Sequence, residues 1–75
     1  MVTNLDTKGL KCPMPIIKLG AAIRQIAVGE QVRVVADDKG FTPDVRAWVE
    51  KTGHELVTLD ESDPNNLVVV VRRTK

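Results

Sequence analysis

One cysteine and one histidine in a chain of 75 residues leave side-chain packing as the main means of holding a fold together. A single thiol closes no internal disulfide, and one cysteine with one histidine is too few ligands for a structural zinc site. Small folds often rely on such devices because they bury only a modest fraction of their surface. The core must therefore be aliphatic, and the chain is rich in the valine and isoleucine that would build it. Its length predicts one domain, residues 1–75.

The apolar residues fall into two periods. Ile16, Leu19, Ile23 and Ile26 recur at spacings of three and four, the period of one buried helical face. Pro13 and Pro15 mark the start of that helix, and Gly29 marks its stop. Residues 31–36 read as a strand, with Val32, Val34 and Ala36 alternating against Arg33 and Val35. Asp37-Asp38-Lys39-Gly40 is a turn cluster. Thr42 then suits an N-cap, with Pro43 at the first helical position and Asp44 in the first turn. Val45, Trp48 and Val49 set the apolar stripe of this second helix, which Gly53 ends.

Residues 5–8 are expected as a first strand closed by Gly9, and residues 54–59 as a third. A polar connection, residues 60–66, leads to a fourth strand over 67–72, whose run Val68-Val69-Val70-Val71 suits an interior position. The order is β-α-β-α-β-β. Two helices can cover only one face of four strands, and right-handed crossovers put both on the same side. The expected fold is α/β: a two-layer sandwich with a four-stranded mixed sheet and two helices on one face.

Eleven Lys and Arg against ten Asp and Glu leave a formal net charge of +1. That balance implies no broad electropositive field and speaks against direct nucleic-acid binding. Residues 1–6 carry no basic region followed by an apolar core, so no signal peptide is expected. No apolar run reaches membrane-spanning length. A free thiol without an export signal fits a reducing cytoplasm.

The chemistry centres on Gly9-Leu10-Lys11-Cys12-Pro13-Met14-Pro15. With Pro13 as the first helical residue, Cys12 would occupy the N-cap. Prolines there forfeit no helical hydrogen bond and rigidify the turn. The helix dipole favours an anion at that point, which predicts a lowered thiol pKa and a reactive thiolate. Pro13 and Pro15 lack an N–H, so the Met14 amide is the nearest expected donor to an anionic sulfur, and Lys11 can add positive charge. In a C-x-x-C motif the second cysteine resolves mixed disulfides; here that position is Pro15. A sulfur placed on Cys12 then has no internal thiol to expel it, which favours a carrier over a dithiol redox enzyme. The competing reading is a core-filling cysteine, since free cysteines are among the most buried residues. The bracketing prolines favour the reactive reading, because a core-filling residue does not require them.

This segment resembles the signature of the TusA/SirA family of sulfurtransferase carrier proteins, whose hallmark is Cys-Pro-x-Pro. Leu5-Asp6, Gly29-Glu30, Asp37-Asp38, Asp44-Val45, Trp48 and Gly53-His54 match the family pattern in order, so the resemblance covers nearly the whole chain. It implies a sandwich similar to the C-terminal domain of translation initiation factor three, with the sulfur carried as a persulfide on Cys12. It further implies a donor, a cysteine desulfurase or a rhodanese, and an acceptor relay protein serving tRNA thiolation or sulfur oxidation. No cofactor or metal is expected, and the chain is expected to act as a stoichiometric carrier, monomeric or weakly dimeric through exposed strand edges.

Other residues carry weaker signals. His54 can be read as a base for Cys12, but its place after Gly53 favours a structural or surface role. Asp37 and Asp38 are read as solvated or turn-forming acids. Trp48 and Val45 are expected in the core, and Phe41 as an exposed partner contact. Lys8, Lys11, Lys18 and Arg24 are read either as a basic flank for an acidic partner or as a solvated face. Two rival functions remain: an RNA-binding module, suggested only by the fold resemblance, and a protein-interaction module with a structural cysteine.

Overall fold

Six elements form in the expected order. The computed structural model describes residues 2–75. Its elements are β1 (Val2–Asp6), α1 (Met14–Gln25), β2 (Gln31–Ala36), α2 (Phe41–Thr52), β3 (Glu55–Asp60) and β4 (Leu67–Arg72). The strands make one mixed sheet in the order β1-β2-β4-β3. β1 and β2 are parallel, while β4 runs antiparallel to both β2 and β3.

The alternation in β2 explains the layering. Val32, Val34 and Ala36 are wholly buried, whereas Arg33 and Val35 between them are only half-buried. In β4, Val69 and Val71 sit opposite Val34 and Val32 and are equally buried. The valine run therefore belongs to a central strand flanked on both sides, as its composition suggested. α1 adds Leu19 and Ile23 to this face, and α2 adds Phe41 and Val45. Fully burying such a side chain stabilises the fold by about 1.5–3 kcal/mol, so these nine residues, with Leu67, form the hydrophobic centre on which everything else is positioned.

Four elements differ in their bounds from the sequence reading; α1 ends at Gln25 with Ile26 as its C-cap, short of Gly29. β1 runs over Val2–Asp6, not 5–8. α2 begins at Phe41 with Gly40 as its N-cap, so Thr42 lies inside the helix. Phe41, expected at the surface, is wholly buried: its aromatic volume is used in the core, and burying it draws the helix start back into the turn. His54 precedes β3 instead of opening it.

The chain end locks α1. The Arg73 guanidinium donates to the carbonyls of Ile23 (3.3 Å) and Ile26 (2.5 Å) at the helix C-terminus, where the Ile23 carbonyl also accepts from the Ile26 amide. Its backbone exchanges hydrogen bonds with Gly29 and Glu30. No described helix is long and apolar enough to cross a membrane.

Candidate functional site

Because β1 and β2 are parallel, the segments that follow them leave the sheet at the same edge. Residues 7–13 lead from β1 to α1, and residues 37–40 lead from β2 to α2. Sites at the carboxyl ends of parallel strands arise from this geometry. Here the second segment grips the first. Thr7 is buried and uses both its amide and its hydroxyl on the Val35 carbonyl, each at 2.8 Å. Gly9, whose φ of 86° suits glycine, donates to both carboxylate oxygens of Asp37 at 3.0 and 3.2 Å. The Cys12 amide donates to Asp38 Oδ2 at 2.6 Å, and the Gly40 amide to Asp38 Oδ1 at 3.2 Å. One carboxylate thus joins the cysteine to the start of α2.

Cys12 is half-buried and packs against the edge of the core. Its peptide bond to Pro13 is cis. A Cβ at Gly40 would stand 3.8 Å from Cys12 Sγ, so the absent side chain keeps the space beside the sulfur free.

The details around the thiol depart from the sequence reading in three ways. First, Pro13 is the N-cap of α1 and the helix begins at Met14, which leaves Cys12 one residue outside the cap. Second, the Met14 amide donates to the Lys11 carbonyl at 2.9 Å, so it is not free for the sulfur. Third, the thiol pKa moves up, not down. Burial raises it most, followed by hydrogen bonding and charge from Asp44 and then charge and hydrogen bonding from Asp38, which together push it from 9.0 to about 12. Partial burial and two carboxylates all act in the raising direction, and α1 starts beyond the residue. The Asp38 carboxyl is held below its ordinary range, chiefly by the amides of Cys12 and Gly40.

The other predicted site residues are distributed as follows. Pro15 is buried, so the position of a resolving cysteine is filled by a packed ring. Lys11 is exposed in the loop, and its charge bears on Asp38. Met14 and Ile17 leave apolar surface exposed on the first turns of α1. Lys8, Lys18 and Arg24 are also exposed. His54 lies at the far end of α2, where its ring meets Trp48 (centroids 5.5 Å apart) and its Nδ1 accepts from the Thr74 amide at 3.2 Å. Burial, then Arg73 and Lys75, lowers its pKa. A helix of 12 residues, about 18 Å, separates it from Cys12, so it is no base for that thiol. Trp48 is half-buried against the core.

Asp37, Asp38 and Asp44 are acids that residue-by-residue reading leaves apart from the cysteine: the first two bond its loop, and Asp44 bears on the thiol. The usable signal was positional: an Asp-Asp pair directly follows the strand that ends the β-α-β unit holding the cysteine.

Residues 3–73 match the protein family described as Sulfurtransferase TusA. The chain belongs to the TusA family. Among its TusA-type relatives, YrkF of Bacillus subtilis (strain 168), named as a candidate sulfur carrier, is 49% identical over 53 residues. That match covers 71% of this chain and 29% of YrkF, so the chain spans under a third of that relative. A candidate sulfur carrier of Archaeoglobus fulgidus is 35% identical over 66 residues, covering 88% of this chain and 90% of the relative. YrkI of B. subtilis, named likewise, is 39% identical with 85% and 83% covered. The crystal structure of a SirA-like protein from Desulfitobacterium hafniense superposes over the full length of both chains with a TM-score of 0.83 at 22% identity, which shows a shared fold.

Proposed function

We propose that this TusA-family chain carries sulfane sulfur on Cys12 between a donor protein and an acceptor protein. The observation that supports this most directly is the setting of its one thiol. It stands at the mouth of two joined loops, beside exposed apolar surface from Met14 and Ile17, and the position of a resolving cysteine is the buried ring of Pro15.

The transfer balances without a cofactor. The Cys12 thiol loses its proton, and the thiolate attacks the outer sulfur of a donor persulfide. The bond between the donor's two sulfurs breaks, the donor leaves as thiolate, and the proton returns to it. Cys12 then holds a persulfide, which an acceptor thiolate attacks in the same manner. Pro13 and Pro15 hold the turn rigid, and Lys11 offers charge beside the approach. In the free chain partial burial, with the carboxylates of Asp44 and Asp38, holds the thiol pKa above its ordinary value. A partner that neutralises or displaces them makes the thiolate available, so loading is coupled to docking. The donor is a cysteine desulfurase or a rhodanese, the acceptor a relay protein of tRNA thiolation or sulfur oxidation, and the compartment a reducing cytoplasm.

Intact-mass measurement under non-reducing conditions tests this, after incubation with cysteine plus a desulfurase or with polysulfide. The expected result is a gain of one sulfur that reductant removes and Cys12→Ala abolishes. No adduct from any donor, with Cys12 still alkylated, would leave a protein-interaction module as the better reading.

A further inference from the structure

The face of the sheet turned away from the helices carries a cation that the fold itself does not use. Alternation along β2 puts Val32, Val34 and Ala36 under the helices and turns Arg33 and Val35 to the other side. There Arg33 stands between Asn4 of β1 and Val70 of β4, and Val35 between Asp6 and Val68. Arg33 is half-buried. Among the described residues no carboxylate lies within ion-pair distance of it; the ion pair of this face joins Arg72 to Glu55.

Arg33 borders a cavity of about 370 Å³. Leu5 and Val35 supply its apolar lining, and Asn4, Asp6, Lys8, Arg33 and Asn66 its polar lining. Asp6 is the one acid on it, and its Oδ1 already accepts from the Lys8 amide at 2.9 Å. Among the described residues, no hydrogen bond engages the Arg33 guanidinium, the Lys8 ammonium or the side-chain amides of Asn4 and Asn66. Two cations and two neutral donors thus converge on one space, against a single, partly committed carboxylate. An arginine on a sheet face can also serve by laying its stem over valines with its head in water. That accounts for Arg33 alone. It does not account for Lys8, Asn4 and Asn66, which reach the same cavity from β1, from the segment after it and from the connection before β4.

We infer that this open-face cavity binds a small ligand bearing a tetrahedral oxyanion, a phosphate or sulfate ester. A guanidinium matches two oxygens of such a group at once, and Lys8 adds a point charge. Asn4 and Asn66 offer donors to the remaining oxygens. The cavity is larger than the bare ion and falls within the range of about 300–1,000 Å³ for small-molecule sites, so an organic body accompanies the oxyanion, against Leu5 and Val35. Cys12 does not line this cavity, and the site stands independently of the carrier reading.

Titration of the unaltered chain with inorganic phosphate, and separately with sulfate, tests the site by amide-resolved nuclear magnetic resonance, with ionic strength held constant by chloride. Saturable shifts are expected at Asn4, Asp6, Lys8, Arg33 and Asn66. Arg33→Gln should weaken binding by at least about tenfold, as loss of a hydrogen bond to a charged group does, and Lys8→Gln by less. Arg24→Gln, an exposed cation on α1, should leave it unchanged, as should Cys12→Ala. Stronger binding of phosphate, whose remaining proton Asp6 can accept, assigns the site to a phosphate ester; stronger binding of sulfate assigns it to a sulfate ester. Shifts that never saturate, that chloride alone reproduces, or that Arg33→Gln leaves intact would overturn the inference. The chloride comparison needs no variant to fold.

Discussion

The two ends of α2 are built from similar materials and do different work. At its N-terminus a glycine cap, an aspartate pair and a half-buried cysteine meet where β1 and β2 deliver their loops. At its C-terminus a left-handed Gly53 (φ 84°), a histidine ring tilted against a tryptophan and the strand-following tail meet where β3 begins. Each end contains one residue that sequence reading could nominate for acid-base chemistry. Only the first brings charged groups to a nucleophile. At the second, each polar group is engaged in holding the chain: Thr74 Oγ1 donates to the Gly53 carbonyl at 2.7 Å, and the Thr52 hydroxyl to the Trp48 carbonyl at 2.8 Å. A reactive residue type becomes a site through what stands unpaired beside it.

Experiments can break this contrast in order of effect. Replacing Cys12 with alanine should remove sulfur loading completely while far-ultraviolet circular dichroism stays native, because the side chain touches only the edge of the core. Any remaining one-sulfur adduct would dissociate the function from this end of the helix.

Phe41→Ala should cost about 3–5 kcal/mol in urea unfolding, as deletions of buried aromatic rings do. For a domain with roughly 0.05–0.15 kcal/mol per residue of net stability, that brings the chain near unfolding. A loss under 1 kcal/mol would mean that the N-terminal end of α2 is not anchored through this ring.

The pH dependence sharpens the comparison. Iodoacetamide alkylation of Cys12 should rise with a midpoint pushed up to about 12. Asp44→Asn should bring that midpoint down towards the ordinary 9.0. Since the folded thiol holds its proton more tightly than the unfolded one, its contribution to stability is full below pH 9.0 and declines as pH rises towards about 12. Asp38 has the opposite sign. Its lowered pKa stabilises the loops above its ordinary 3.8, and this is lost as pH falls through the lowered value, detectable as faster amide exchange at Cys12 and Gly40.

The smallest effect is expected from His54→Ala. It should leave sulfur loading unchanged and lower the melting temperature by a few degrees at most, through the lost Trp48 contact. A loading defect would make the two ends of α2 functionally connected.

Much of the frame was legible where side chains repeat a pattern. β2 and β4 fall on the expected residues because β-branched side chains alternate there against a buried face. β1 was misplaced because Val2, Thr3 and Asn4 are all exposed at a sheet edge, and an edge strand has no alternation to read. The start of α2 was displaced because Thr42-Pro43 has the local chemistry of a cap, while burial of Phe41 decides where the helix begins. Cys12 was legible from its motif. Its ionisation was not, because Asp38 lies 26 residues away along the chain and only the parallel pairing of β1 with β2 brings it close. Local sequence gives the dipole of the nearest helix, whereas the charge on a sulfur depends on whatever the topology places beside it.

The Asp38 carboxylate, bonded at once to the Cys12 and Gly40 amides, makes the location and the ionisation of the sulfur a single mechanical coordinate. Any force that draws residues 37–40 outward releases the cysteine loop and removes a negative charge from the sulfur in the same movement. Exposure of the thiol to a partner and its ionisation then change together.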